Sequence, residues 1–168
     1  MGYTHYYSRS YTDSNGTAEY AKFREGAERI ILEAVASGVK IADAFGEKLG
    51  RWENSDDRVA LNGYGDDAHE TFVWDAKSPE KSTPVSFMTQ EGVRLESKPM
   101  DFNFCKTARK PYDAVVVALL LLLKDVYGNA VDVSSDGSWS EWQDGRDLYA
   151  KVFGVEARAP FEDETVSI

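Results

Sequence analysis

The sequence is short of cysteine, histidine and positive charge, and each shortage excludes a class of protein. Cys105 is the one cysteine, so no internal disulfide forms, and with no signal peptide visible we expect a reducing cytoplasm. We interpret Cys105 as a small buried residue rather than a nucleophile. His5 and His69 are the only histidines available for acid–base chemistry near neutral pH. A net charge of −10 argues against binding to a long nucleic acid.

Several motifs and one long hydrophobic segment are also missing. The sequence has no Walker A loop, no His-Glu-x-x-His zinc motif and no calcium-binding loop. No recognisable pairing of a nucleophile with a base is present, which favours a binding protein over an enzyme. The longest apolar run, residues 114–123, is about half of the roughly 20 residues that span a membrane. We therefore interpret it as a core helix and expect no membrane contact.

The hydrophobic pattern predicts a single α+β domain over residues 1–155, followed by an acidic tail at residues 156–168. A mixed or antiparallel sheet packs with about three helices, and the central helix is fully apolar. Strands are predicted at residues 3–11, 39–42, 58–63, 70–75, 85–88, 92–98 and 131–133, and around residues 102–105. Helices are predicted at residues 17–37, about 111–127 and 139–153, with connections at residues 13–16, 43–57 and 77–84.

A basic turn precedes the predicted central helix. Lys106, Arg109 and Lys110 supply positive charge there, and Thr107 supplies a hydroxyl group. Helix N-termini present unpaired backbone N–H groups, so the combination is typical of a site for phosphate or carboxylate. The alternative is a solvated positive loop that only offsets acidic neighbours.

A second cluster combines Asp66, Asp67, His69 and Glu70 within a predicted turn between two strands. Carboxylates with one imidazole could hold Mg²⁺, Mn²⁺ or Zn²⁺, although the spacing matches no standard ligand motif. The alternatives are a structural turn, or hydrogen bonds to the ribose or base of a ligand without a metal. We expect no cofactor unless this cluster holds a divalent metal ion.

An aromatic stripe runs along the first predicted strand. Tyr3, His5 and Tyr7 alternate with other residues and therefore share one face of the strand. Such rings could stack on a base or a sugar. The alternative is that the stripe is the apolar face of a core strand.

Four stretches resemble a family of small proteins encoded by bacteriophages and prophages. They are residues 1–6 (MGYTHY), 62–72 (NGYGDDAHETF), 104–113 (FCKTARKPYD) and 134–137 (SSDG), the last followed by Trp139 and Trp142. The resemblance implies a setting rather than an activity: a phage-encoded protein that acts in the bacterial host cytoplasm as an accessory or counter-defence factor.

These observations lead to three hypotheses about function. The first is a phage accessory protein that binds a small phosphorylated ligand, a nucleotide, and sequesters a host immune signal. The basic turn would hold phosphate, and the stripe of Tyr3, His5 and Tyr7 would contact the base and ribose. The second is a metal-dependent phosphoester hydrolase that uses the Asp66–Glu70 cluster on a nucleotide. The third is an inhibitor that binds a host protein. Each is compatible with a homo-oligomer.

Overall fold

Strands and helices follow one another in the order that the hydrophobic pattern predicts. The computed structural model describes residues 2–10, 17–77, 86–88, 90, 92, 94–96 and 100–162. The strands are β1 (Thr4–Ser10), β2 (Ile41–Ala42), β3 (Glu53–Asn54), β4 (Arg58–Gly63), β5 (Phe72–Asp75), β6 (Ser86–Met88), β7 (Arg94–Glu96), β8 (Met100–Lys106) and β9 (Val131–Ser135). The helices are α1 (Thr17–Ala36), α2 (Asp113–Tyr127) and α3 (Gln143–Phe153). Short 3₁₀ turns cover Gly65–Asp67, Gly128–Ala130 and Ser140–Trp142.

β1 is the middle strand of an antiparallel sheet with the order β8-β1-β9. Its register places His5 opposite Cys105 on one side and opposite Ser135 on the other. A second antiparallel sheet is built around β4, which pairs with β2, β3 and β5, while β6 and β7 pair with each other. The α+β class is therefore confirmed, and β1 brings together segments that are far apart in the sequence.

α2 lies in the middle of the core. Its residues from Val115 to Leu123 are all buried, and it packs against α1, α3 and β9. This part of the helix is apolar all round, which suits a helix with protein on every side. A fully apolar helix is not confirmed, however, because α2 also contains Asp113, Lys124 and Asp125. Within the described residues, no helix is both long enough and apolar enough to cross a membrane.

Several predicted boundaries change in the folded protein. α2 begins at Asp113, after a turn in which the Asp113 N–H donates to the carbonyl of Lys110 at 2.8 Å, and Pro111 lies within that turn. The segment 43–57, predicted as a loop, contains the short strand β3. The predicted turn at residues 13–16 and most of the connection at residues 77–84 lie outside the described residues.

A capping box precedes α3. The Ser138 N–H donates to Glu141 Oε1 at 3.2 Å, and the Glu141 N–H donates to Ser138 Oγ at 3.3 Å. Gly154 ends the helix in the left-handed conformation, with φ of 74°. Beyond it, Phe161 packs edge-on against Trp142, with the ring centroids 4.9 Å apart. This part of the segment predicted as a tail therefore contacts the domain.

Candidate functional site

The four stretches that carry the phage-family resemblance meet at one end of the β8-β1-β9 sheet. Antiparallel pairing puts the start of β1 beside the ends of β8 and β9. The loop that contains His69 and Glu70 joins them, because the Glu70 N–H donates to the carbonyl of Lys106 at 3.1 Å. The start of β1 thus lies beside segments that are about 100 residues or more away in the sequence.

His5 is the centre of a buried hydrogen-bond network at this end of the sheet. Its side chain is fully buried, with Nδ1 2.7 Å from Ser135 Oγ and Nε2 2.6 Å from Asp113 Oδ1. The Thr107 hydroxyl donates to the same Asp113 oxygen at 2.5 Å. The network therefore ties the start of α2 to β1, to the end of β9 and to the basic turn.

The neighbours of Ser135 determine how the hydrogens are arranged. Ser135 Oγ accepts hydrogen bonds from the Gly137 N–H at 2.9 Å and from Trp142 Nε1 at 3.2 Å. Two donors fill both lone pairs of a hydroxyl oxygen, so Ser135 donates its own proton to His5 Nδ1. His5 then carries a hydrogen on Nε2 and donates it to Asp113.

Ser135, His5 and Asp113 have the composition of a catalytic triad, but their geometry favours positioning. His5 is inverted relative to the chymotrypsin arrangement, since Nε2 faces the carboxylate and Nδ1 faces the hydroxyl. The lone pairs of Ser135 Oγ are occupied, and Ser135 does not line the adjacent cavity. We interpret the network as the support that fixes the Asp113 carboxylate at the start of α2.

The basic turn has an unusual backbone. Ala108 and Arg109 have positive φ angles of 52° and 59°, a region that non-glycine residues adopt at a cost of order 1 kcal/mol each. The turn is held by Thr107, which is fully buried and whose N–H donates to the carbonyl of Tyr3 at 3.1 Å. As a result Arg109 projects back over β1, and its guanidinium lies 4.0 Å from the centre of the Tyr3 ring.

Arg109 also forms an ion pair with Glu141, from the capping box before α3, at 2.8 Å. The hydrogen bond to Arg109 lowers the pKa of Glu141, and the same bond raises the pKa of Arg109. The arginine side chain is 61% exposed, so this pair is screened by solvent and contributes little to stability. Arg109 can consequently exchange Glu141 for another anion.

A cavity of about 170 Å³ opens beside this ion pair. Its polar lining comes from Tyr3, Arg109, Lys110, Asp113, Glu141 and Asp144. Two cations and three carboxylates therefore face the same small space. The cavity is smaller than the roughly 300–1,000 Å³ typical of ligand pockets, so it accommodates one group of a larger ligand.

The predicted basic cluster is only partly brought together. Arg109 and Lys110 line the cavity, whereas Lys106 does not. The Lys106 side chain instead lies against Gly2, since a Cβ at Gly2 would come within 2.7 Å of Lys106 Cε. Thr107 is not available to a ligand, because it is buried and its hydroxyl is bonded to Asp113.

The aromatic stripe on β1 faces inward. Tyr3, His5 and Tyr7 share a face as predicted, and they are 3%, 0% and 2% exposed. Burial raises the pKa of Tyr3 to about 12, and it raises that of Tyr7 as well, with the Tyr7 hydroxyl donating to the carbonyl of Val73 at 3.0 Å. Of the three, Tyr3 lines the cavity, while His5 and Tyr7 offer no exposed face on which a base could stack.

The acidic cluster is used to hold the neighbouring loop. Glu70 Oε2 accepts a hydrogen bond from the Lys106 N–H at 2.7 Å, and His69 Nδ1 donates to the Lys106 carbonyl at 2.7 Å. Asp66 and Asp67 lie in the 3₁₀ turn that follows β4. Among the residues that the structure describes, no group of three or more acidic, histidine or cysteine side chains is arranged to hold a metal ion. The cluster and the basic turn therefore meet at the Lys106 backbone.

Cys105 lies next to this contact and is fully buried. Burial, with the nearby Glu70 as a second cause, raises the pKa of its thiol to about 12. The thiol therefore stays protonated near neutral pH, as expected for a residue of the core.

Two larger clefts lie elsewhere on the described surface. One, of about 720 Å³, runs along α1, where Arg24 pairs with Asp56 and Asn54 donates to Glu28. The other, of about 690 Å³, lies between the ends of α2 and α3. Neither is lined by a residue of the predicted site, and in the first Arg24, Asn54, Asp56 and Glu28 are paired with one another.

Sequence reasoning did not identify three polar residues that the structure places at this site: Asp113, Ser135 and Glu141. Asp113 is in the first turn of α2, Ser135 ends β9, and Glu141 belongs to the capping box before α3. Asp113 and Ser135 lie in motifs of the resemblance, residues 104–113 and 134–137, whereas Glu141 lies in none of them. No protein-family model matches the chain, and comparison with curated proteins and with solved structures likewise gives no match.

Proposed function

We propose that this protein binds a small phosphorylated ligand, a nucleotide, at the cavity beside Arg109. The observation that carries the proposal is the position of Arg109. A strained backbone and the ring of Tyr3 hold its guanidinium at the cavity, next to Lys110 and the first turn of α2. Arginine is well suited to phosphate because its planar guanidinium can donate two parallel hydrogen bonds.

The carboxylates of the cavity define what else the ligand must carry. Asp113, Glu141 and Asp144 accept hydrogen bonds, so an inorganic anion alone would meet repulsion from them. A nucleotide satisfies both halves of the cavity, since it combines phosphate with sugar hydroxyls and base amino groups that donate. The volume of about 170 Å³ suits the phosphate and part of the sugar, with the remainder of the ligand outside.

Binding would proceed by exchange of partners at Arg109. In the free protein Glu141 is paired with the guanidinium of Arg109, and because this ion pair is exposed, breaking it costs little free energy. A phosphate group would replace the carboxylate while Asp113 stays fixed by His5 and Thr107. Glu141 is therefore an internal competitor of the ligand.

The biological setting that we propose is a phage counter-defence protein that sequesters a nucleotide signal of host immunity in the host cytoplasm. It is supported by the family resemblance of four sequence stretches and by their convergence at one end of the β8-β1-β9 sheet, where two of them, residues 1–6 and 104–113, line the cavity. Sequestration is favoured over turnover because Ser135, whose hydroxyl is hydrogen-bonded to His5, does not line the cavity. This setting requires a tight complex with the intact ligand.

The experiment that tests binding uses a fluorescent ADP analogue as the probe in a titration. We expect Arg109→Ala to weaken binding by at least about tenfold, because a charge-assisted contact to phosphate is lost. Glu141→Gln should strengthen it, since glutamine keeps the capping box but no longer competes for Arg109. Arg58→Ala is the matched control, because Arg58 pairs with Asp75 on the β4–β5 hairpin.

The outcomes separate the hypotheses. Undiminished affinity in Arg109→Ala would refute the proposed site, and unchanged affinity in Glu141→Gln would refute the exchange mechanism. Native mass spectrometry of protein from phage-infected bacteria, followed by analysis of the denatured extract, would identify the ligand. A nucleotide released intact supports sequestration, whereas a hydrolysed product would favour the enzyme hypothesis.

A further inference from the structure

The outer face of the β8-β1-β9 sheet exposes a patch of aromatic rings. Phe102 and Phe104 on β8 are 62% and 55% exposed, although neighbouring Cys105 is fully buried on the other face. Phe102 stacks on Tyr6 with ring centroids 6.3 Å apart, and it lies 6.3 Å from Phe104. Contiguous exposed aromatic surface of this kind is typical of interaction sites.

The same two phenylalanines have backbone groups on an unpaired edge. In an antiparallel strand, successive residues direct their N–H and C=O groups to alternate sides. Lys106 directs both groups away from β1, because they bond to Glu70, so Phe104 and Phe102 do the same. Among the described strands, only β1 pairs with β8.

We propose that this edge of β8 pairs with β8 of a second copy of the chain, antiparallel about a two-fold axis at Asn103. In this register Phe102 lies opposite Phe104 of the second copy, and the reverse pair forms by symmetry. The backbone groups of both residues form hydrogen bonds across the interface. The aromatic rings meet on one face as cross-strand pairs, which are among the more stabilising in sheets.

Glu70 fixes where this pairing ends. The segment around Glu70 already occupies the edge of β8 at Lys106, so a partner strand can extend only as far as Cys105. With the two-fold axis at Asn103, residues 101–105 of the two copies pair, and Met100 of the second copy, which comes opposite Lys106, has to turn away from the edge that Glu70 occupies. A register shifted by two residues toward the C-terminus would instead place Phe102 of the second copy opposite Lys106, and its backbone hydrogen bonds would be lost.

The charges favour a second copy over a nucleic acid. On the outer face, Lys106 is outnumbered by Asp132 and Asp136, and the whole chain carries −10. Asp132 lies in β9 and Asp136 directly after it, on the far side of β1 from the new interface. Strands are spaced about 4.8 Å apart, so the aspartates of two copies lie several strands from each other, beyond the screening length of about 8 Å.

The interface is small, and the association is therefore concentration-dependent. Two phenylalanine rings slightly more than half exposed supply about 250 Å² of surface per copy, compared with roughly 800 Å² in a standard stable interface. Main-chain hydrogen bonds add to this area but do not bring it to the standard size. We expect a monomer in dilute solution and a dimer as the protein approaches millimolar concentration.

Sedimentation velocity over this concentration range tests the proposal. Replacing Phe102 and Phe104 together by lysine should raise the dissociation constant of the dimer by about tenfold or more, because aromatic pairs are replaced by like charges. Phe45→Lys is the matched control, since Phe45 is 81% exposed on the loop after β2. A monomer at every concentration, or a dimer unaffected by the double lysine variant, would overturn the proposal.

A disulfide test reports on the register. Asn103→Cys should form a cross-linked dimer under mild oxidation, since Cα atoms of a non-hydrogen-bonded pair lie about 4.5 Å apart, within the range for disulfides. Ser134→Cys, on the outer face of β9, is the control and should not cross-link. Equal cross-linking of both variants would overturn the register, and capture of a different protein at this edge would replace the second copy as the partner.

Discussion

Adding a methyl group at Gly145 should force two core helices apart. Gly145 is in the first turn of α3, where it faces α2. A Cβ atom there would lie 2.3 Å from Val117 Cγ1, 2.4 Å from Val117 Cβ and 3.0 Å from the Ala114 carbonyl oxygen. Rotation of Val117 cannot relieve these contacts, because neither its Cβ nor the backbone oxygen moves with the side chain.

The expected cost follows from these contacts. Overpacking of a rigid core costs about 1–3 kcal/mol, and the upper end applies because a whole helix must move. Alanine stabilises a helix by up to about 1 kcal/mol relative to glycine, which offsets part of this cost. Gly145→Ala should therefore lower the free energy of unfolding by about 2 kcal/mol, and the melting temperature by about 4–8 °C.

Gly26→Ala is the matched comparison. Gly26 is also a buried helical glycine, but its Cβ would meet the Leu122 methyl groups at 2.8 and 3.2 Å and the tip of Phe153 at 3.3 Å. These are the ends of flexible side chains, so they can rotate away. We expect the stability of this variant to stay within about 1 kcal/mol of the wild type.

Urea unfolding followed by tryptophan fluorescence measures both variants, because Trp74 and Trp142 are almost fully buried. If Gly145→Ala is as stable as Gly26→Ala, the reasoning from Cβ distances is refuted. Gly145 also lines the cavity, so displacement of α3 should weaken the binding of the ADP probe. Gly26→Ala should leave that binding unchanged.

Two further predictions concern the buried polar groups. His5→Phe should lower the free energy of unfolding, measured by urea denaturation, by about 2–3 kcal/mol, because Asp113 and Ser135 each lose a buried partner. Tyr6→Phe loses only a hydrogen bond to exposed Asp136 and should change the free energy of unfolding by less than about 1 kcal/mol. Alkaline pH should destabilise the fold, since Cys105 has its pKa raised from 9.0 to about 12 and ionises earlier once unfolded. The unfolded chain then binds fewer protons, so the free energy of unfolding should fall from about pH 9 upward. The buried tyrosines Tyr3 and Tyr20, with pKa values raised from 10.0 to about 12, add to this fall above about pH 10. A free energy of unfolding that stays constant up to pH 12 would contradict this prediction.

The sequence predicted most of the elements because their signals are local. Strand β4 coincides with the predicted residues 58–63, and α1 and α3 follow the spacing of their apolar residues and their caps. The start of α2 was placed too early, at Pro111, because the preceding turn is set by a hydrogen bond between Asp113 and Lys110. Proline at a first helical position and proline in a turn look alike in a sequence.

The candidate site was predicted less completely. Arg109 and Lys110 were identified, because a cluster of cations before a helix is visible in the chain itself. Their partner Glu141 was not, since it comes from a turn 32 residues away. The role of β1 also changed: alternation showed which residues share a face, but a period of two does not say which face packs against the core.

The sequence by itself determined the α+β class, the identity of most strands and helices, and the chemistry present at the basic turn, because these depend on neighbouring residues. The tertiary structure decided that Tyr3, His5 and Tyr7 point inward while Tyr6, Phe102 and Phe104 point outward. It also decided that His5 meets Ser135 and Asp113, which lie 130 and 108 residues away. Such contacts arise from strand register and from the packing of α2 against the sheet, and no local pattern encodes them.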